Sequence, residues 1–164
     1  VKILKIIVLV LVAVFVVIQF FRPEKNNGPV DPALDISAAV PVPAEIVAIL
    51  KESCYDCHTN TTRYPWYAEV MPAGWYLADH VKEGRNHLNF AEFGAGSLRR
   101  QYHKLEEISE QLNLGKMPLP SYLILHRDAV LTEEKKQALI TWVEASRESM
   151  RERYPADSLA RPRR

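Results

Sequence analysis

Cysteine is scarce in this 164-residue chain: there are two, Cys54 and Cys57, too few to staple a disulfide-rich miniprotein. Glycine is scarce as well. The six glycines form neither a Gly-x-Gly-x-x-Gly nor a Walker loop, which leaves nucleotide-dependent chemistry without support. No excess of one charge is present, since 21 Lys and Arg face 20 Asp and Glu. Three of the cations, Lys2, Lys5 and Arg22, lie in or beside an apolar N-terminal segment, so the rest carries 18 cations against 20 acids, a net −2. Such a surface lacks the clustered, uncompensated cations that phosphate backbones require, and no nucleic-acid partner is expected. Alternation of strand period is also missing. What remains is ordinary for a globular protein: 48% hydrophobic and 25% charged residues, in a length suited to one core after the apolar segment.

That segment is the first positive feature. Ile6 to Ile18 is an unbroken run of 13 apolar residues, and Ile3–Phe21 extends it to 19, interrupted by Lys5 and Gln19. A membrane-spanning helix needs about 20 such residues, with about 17 as the lower limit. Lys5 can snorkel to head groups. A cleaved signal peptide is the rival reading, but it needs small residues soon after the run. Gln19-Phe20-Phe21-Arg22-Pro23 offers none, and Ser37-Ala38-Ala39 lies far downstream. Residues 1–22 are therefore read as an N-terminal transmembrane helix, with the rest of the chain outside the cytoplasm. Residues 23–42, rich in Pro, Asn and Asp, read as an extended tether with little core of its own. Residues 155–164 read as a basic, solvated tail.

Residues 43–154 carry helical spacing throughout. Pro43–Ser53 repeats Ile46, Ile49 and Leu50 on one face; Pro72–Glu83 forms a second helix ended by Gly84. Ser97–Leu114 is strongly amphipathic through Leu98, Tyr102, Leu105, Ile108 and Leu112, with Gly115 as its C-terminal stop. Thr132 N-caps a last helix whose inward side is Leu139, Trp142, Val143 and Met150. The fold class is all-α.

Cys54-Tyr55-Asp56-Cys57-His58 decides the chemistry. C-x-x-C-H is the signature of covalent haem attachment. The three-residue offset sets two thiols on one side of a helix end, each able to form a thioether to one of two neighbouring vinyls. The next residue, His58, then turns its imidazole to the iron as proximal ligand. Three rivals stand beside this reading. A C-x-x-C disulfide closes a tiny loop and adds little stability. A redox dithiol usually accompanies a βαβ pattern, which is missing. A zinc site needs further ligands, and adjacent Cys57 and His58 make an awkward tetrahedral pair.

An electron carrier usually fills the sixth iron position too. Met117, in the Pro-containing loop before the last helix, is the first candidate, because a loop presents a thioether without conflict with helix packing and Met ligation raises the potential. His126 and His80 are the reserves. Met71 lies close in sequence to His58 and is less suited. Arg63 or Arg85 is expected to face the haem propionates, and a carbonyl near Pro65 or Pro72 to accept from His58 Nδ1.

The combination Cys54-Tyr55-Asp56-Cys57-His58-Thr59-Asn60, Tyr64-Pro65-Trp66-Tyr67, His80-Val81-Lys82-Glu83-Gly84-Arg85, Asn89-Phe90, Met117-Pro118, Tyr122, His126 and Leu131-Thr132 resembles the bacterial haem-binding domain family of cytochrome c type, over about residues 43–145. The resemblance implies a cytochrome c-like helical domain around one covalent haem c, anchored at the inner membrane with the haem domain on the periplasmic side. The first functional reading is electron transfer to a redox partner protein through the exposed haem edge. A haem enzyme or ligand sensor of peroxidase type, with a displaceable sixth ligand near His80 or His126, is the alternative. A structural metal or disulfide module is the third.

Overall fold

The computed structural model describes residues 1–160. The basic end of the tail, Arg161-Pro162-Arg163-Arg164, lies outside the described residues. The described chain is helical, with a lone backbone bridge between Asn27 and Thr61. The helices are α1 (Lys2–Ile18), α2 (Ile36–Ala39), α3 (Ala44–Ser53), α4 (Tyr55–His58), α5 (Ala73–His87), α6 (Leu98–Asn113), α7 (Pro120–Leu123), α8 (Glu133–Arg153) and α9 (Ala156–Leu159).

The main core joins α3, α6 and α8. Ile46, Ile49 and Leu50 meet Leu105 and Leu112 of α6 and Leu139, Trp142, Val143 and Met150 of α8. Full burial of an aliphatic side chain of this size contributes about 1.5–3 kcal/mol. Caps fix the helix ends as read from the sequence. Ser97 Oγ accepts from Arg100 N, and Thr132 Oγ1 accepts from Lys135 N. Gly115, at φ +64°, ends α6: Lys116 N–H reaches Gln111 O, the longer bond of a Schellman turn.

Three expectations change. Residues 23–42 are no free tether. Ile36 and Val40 are at most 2% exposed and pack with Phe90 and Phe93, and Gly94 N–H donates to Leu34 O at 2.7 Å. Trp142 Nε1–H donates to Pro41 O at 3.0 Å, tying the same segment to α8. The many prolines shape this stretch to follow the surface of the helices, and two apolar residues in it, Ile36 and Val40, are buried. Residues 156–159 likewise form a short helix against α6 with Leu159 buried, so the tail begins inside the packed unit. Third, Gly84 does not end α5, which runs on to His87. A Cβ at Gly84 would stand 2.7 Å from Cys57 O, so glycine serves here to let α5 cross close against α4.

α1 is apolar on every side and exposed along its length. At 17 residues it is about 25 Å long. No helix among the described residues is long and apolar enough to cross a membrane.

Candidate functional site

The site is built where α4 meets α5. Cys54 N–H donates to Leu50 O as the last bond of α3, and His58 N–H donates to Cys54 O, closing α4 as a single turn. This turn is held from behind by side chains distant in sequence. Asn26 Nδ2–H donates to Thr59 O (2.8 Å) and Thr62 Oγ1 (2.9 Å), and Thr62 Oγ1–H donates to Asp56 O (2.7 Å). Asn60 uses its whole amide: Nδ2 donates to Pro29 O and Glu92 Oε1, and Oδ1 accepts from Arg85 Nη2 and Asn89 Nδ2. The sequence places Asn26 in a tether and marks no separate role for Asn60. Their partners lie 25 to 36 residues away, so no local spacing signals them.

In front of the turn lies a cavity of about 550 Å³. Cys54, Cys57 and His58 line it, and so does Met117 from the loop after α6. Leu50, Ile108, Leu112, Leu131 and Leu139 give it an apolar lining. His80, Glu83 and Lys104 border it on the polar side. The sequence candidates Cys54, Cys57, His58, Met117 and His80 thus converge on one space. His126 does not border it. Its Nε2 shares a 2.8 Å hydrogen bond with Tyr67 Oη, and its ring stacks on Tyr122 at 4.0 Å. Met71 is buried elsewhere, against Gly74 and Gln19.

His58 is set by carbonyls at the C-terminal end of α5, that of Leu88 foremost. Its Nδ1 lies 2.9 Å from Leu88 O. A carbonyl only accepts, so Nδ1 carries the proton and Nε2 keeps its lone pair for a metal. Burial lowers the imidazole pKa, which also favours the neutral, ligating form. The carbonyl expected near Pro65 or Pro72 is thus that of Leu88, because α5 runs past Gly84 and places its C-terminal end beside α4. Phe90 meets the imidazole at 6.2 Å and 73°, edge to face.

Burial raises Cys54 to about 12 and Cys57 to about 11. Both thiols are therefore neutral near pH 7. Among the described residues no three His, Cys, Asp or Glu side chains cluster as a metal site.

Of the two arginines expected at the propionates, Arg63 turns away. Its guanidinium brackets Asp56, with Nε to Oδ1 at 3.0 Å and Nη2 to Oδ2 at 3.2 Å, while Tyr122 Oη–H donates to Oδ2 at 3.0 Å. Arg85 instead lines a smaller chamber of about 190 Å³ with Arg100, Lys104 and Gln101. This chamber shares His87, Leu88 and Lys104 with the main cavity. Arg85 Nε is buried without a hydrogen-bond partner. An unpartnered buried guanidinium nitrogen is costly unless an acid meets it. Two cysteines and a lone-pair imidazole in an apolar cavity, beside a chamber where Arg85 and Arg100 outnumber the one acid, Glu92, fit a haem with its two carboxylates.

A family described as the haem-binding domain matches residues 13–145. No curated protein and no solved structure matches the chain.

Proposed function

Because the chain belongs to the haem-binding domain family, we propose that it is a monohaem c-type cytochrome that transfers electrons at the periplasmic face of the inner membrane. One observation carries the reading: a neutral imidazole locked by Leu88, two thiols and a thioether border the same cavity. When bound, the haem supplies a one-electron redox centre.

The chain's own residues do the rest. Cys54 and Cys57 would hold the haem through thioethers to its two vinyls. His58 would ligate the iron through Nε2 and Met117 through sulfur, a pair that favours the reduced state over bis-histidine. Arg85 would hold the carboxylates, since Lys104 is already paired with Glu107. The apolar lining would keep water from the iron and lower the cost of changing its charge. Electrons leave through the open side of the cavity, which requires no substrate pocket.

α1 would tether the domain. Its apolar character on all sides fits lipid, and the apolar sequence runs on past its end to Phe20 and Phe21. A redox partner protein would meet the domain there.

The test is optical. Full-length protein made in cells that attach haem c should give the pyridine haemochrome of two thioethers, and the ferric form should be low-spin with a weak near-infrared sulfur-to-iron band. A colourless product overturns haem attachment. A high-spin form that takes CO or peroxide readily overturns Met117 and favours an enzyme or sensor with His80, whose Nδ1 is engaged by Tyr76 O at 2.8 Å and whose Nε2 is left for chemistry.

A further inference from the structure

The end of α1 is locked to the domain. The Gln19 amide pairs with the Met71 backbone at two points, Nε2 to O at 3.0 Å and Met71 N to Oε1 at 2.9 Å. Trp75 Nε1–H donates to Phe21 O at 2.6 Å. Arg22 and Lys25 both reach Glu69, at 2.7 and 2.5 Å. Five contacts from four residues between Gln19 and Lys25 leave no hinge between helix and domain.

Around this joint the domain exposes large apolar groups. Phe20 is 82% exposed, Phe21 65% and Trp66 78%, and Ile124 and Leu125 are 65% and 63%. They are linked in space. Trp66 opens the 3-10 turn that ends in Glu69, and its ring meets Tyr67 at 6.0 Å. Tyr67 in turn bonds to His126, which directly follows Ile124-Leu125. Tyr76 Oη–H donates to Ser121 Oγ, joining α5 to α7 on the same side.

Chemistry selects the occupant. A protein groove covers one stripe of a helix, whereas α1 is apolar all round and continues into this collar. Trp, Tyr and Phe are the side chains that settle at the membrane–water boundary. The polar groups at the joint are already satisfied: Gln19 through both amide atoms, and Trp75 through its N–H. That is what burial near hydrocarbon demands. We propose that the face formed by Phe20-Phe21, Trp66 and Ile124-Leu125 docks into the lipid interface and, with the Gln19–Met71 joint, holds the haem domain in one fixed orientation on the bilayer. Tyr122, beside this face, borders the cavity, so docking aims that side of the cavity at the membrane. The proposal rests on the reading of α1 as the membrane tether.

The test uses the full haem-loaded chain in nanodiscs of phosphatidylcholine and phosphatidylglycerol, containing a phosphatidylcholine with a diazirine in its acyl chain. After irradiation, adducts are mapped by peptide mass spectrometry. Adducts on α1, on Trp66 and on Ile124-Leu125, with none on the outer face of α8, support docking. In the double variant Gln19→Ala, Glu69→Ala, labelling at Trp66 and Ile124-Leu125 falls several-fold while α1 stays labelled. Adducts on α1 with none at Trp66 or Ile124-Leu125 overturn docking and leave the tether standing. Zero-length cross-links from Lys25 or Glu69, at the joint, to a second copy, with no lipid adducts at Trp66 or Ile124-Leu125, also overturn it. An unlabelled α1 overturns the tether and the docking with it.

Discussion

His58 Nδ1 and the carbonyl oxygen of Leu88 stand 2.9 Å apart, across 30 residues of sequence. This contact places the imidazole proton away from the cavity and the lone pair toward it. It exists because Gly84 allows α5 to pass within van der Waals range of α4 and to continue one turn further, to Leu88.

Gly84→Val should therefore harm the site. A side chain there would overlap Cys57 O and push α5 outward, taking the Leu88 carbonyl from His58. The expected loss is about 1–3 kcal/mol of stability, with less haem per protein. Denaturant midpoints and the haem-to-protein absorbance ratio check it; unchanged values for both would contradict the account.

Met117→Ala and His126→Phe should separate. The first keeps covalent haem, becomes more high-spin and has a lower potential. The second keeps the spectrum and loses about 1 kcal/mol through the missing Tyr67 bond. Optical titration at controlled potential decides. The reverse pattern would make His126 the ligand and require α7 to move.

Arg85→Gln should lower the potential and Arg85→Lys should restore part of it, because a cation beside the haem carboxylates favours the reduced form. Asn60→Ala should act in the same direction by releasing Arg85 Nη2. If haem-carboxylate vibrations in redox-difference infrared spectra are the same in all variants, Arg85 does not meet them.

Ile36→Ala should cost about 2–5 kcal/mol, since Ile36 is fully buried within the main core. An equilibrium melt unchanged from the parent would return residues 23–42 to the role of a loose tether.

The Glu69 joint should open in acid. The hydrogen bond from Lys25, followed by the Lys25 charge, holds the Glu69 carboxyl below its ordinary value. A depressed folded value means that its contribution is complete above the unfolded value of about 4.5 and is lost as the pH falls through the lower folded one. Exchange of the Met71 amide, corrected for intrinsic rate, should accelerate below that range. Glu69→Gln should show faster exchange already at pH 7.

Local spacing was enough for much of this molecule. The i, i+3, i+4 repeats of α3, α6 and α8, the caps Ser97 and Thr132, Gly115 and the C-x-x-C-H turn are short-range features, and each stands where its own neighbours require it. The chain order alone put a methionine loop before the last helix, and Met117 reaches the cavity. Contacts between distant segments decided the rest. Which carbonyl orients His58, which arginine is left free for an acid, that Asn26 and Asn60 brace the turn, that Ile36 and Val40 join the core, and that His80 rather than His126 borders the cavity all depend on how helices pack. Packing is settled by shape and polar satisfaction summed over the whole core, and no window along the sequence contains that sum.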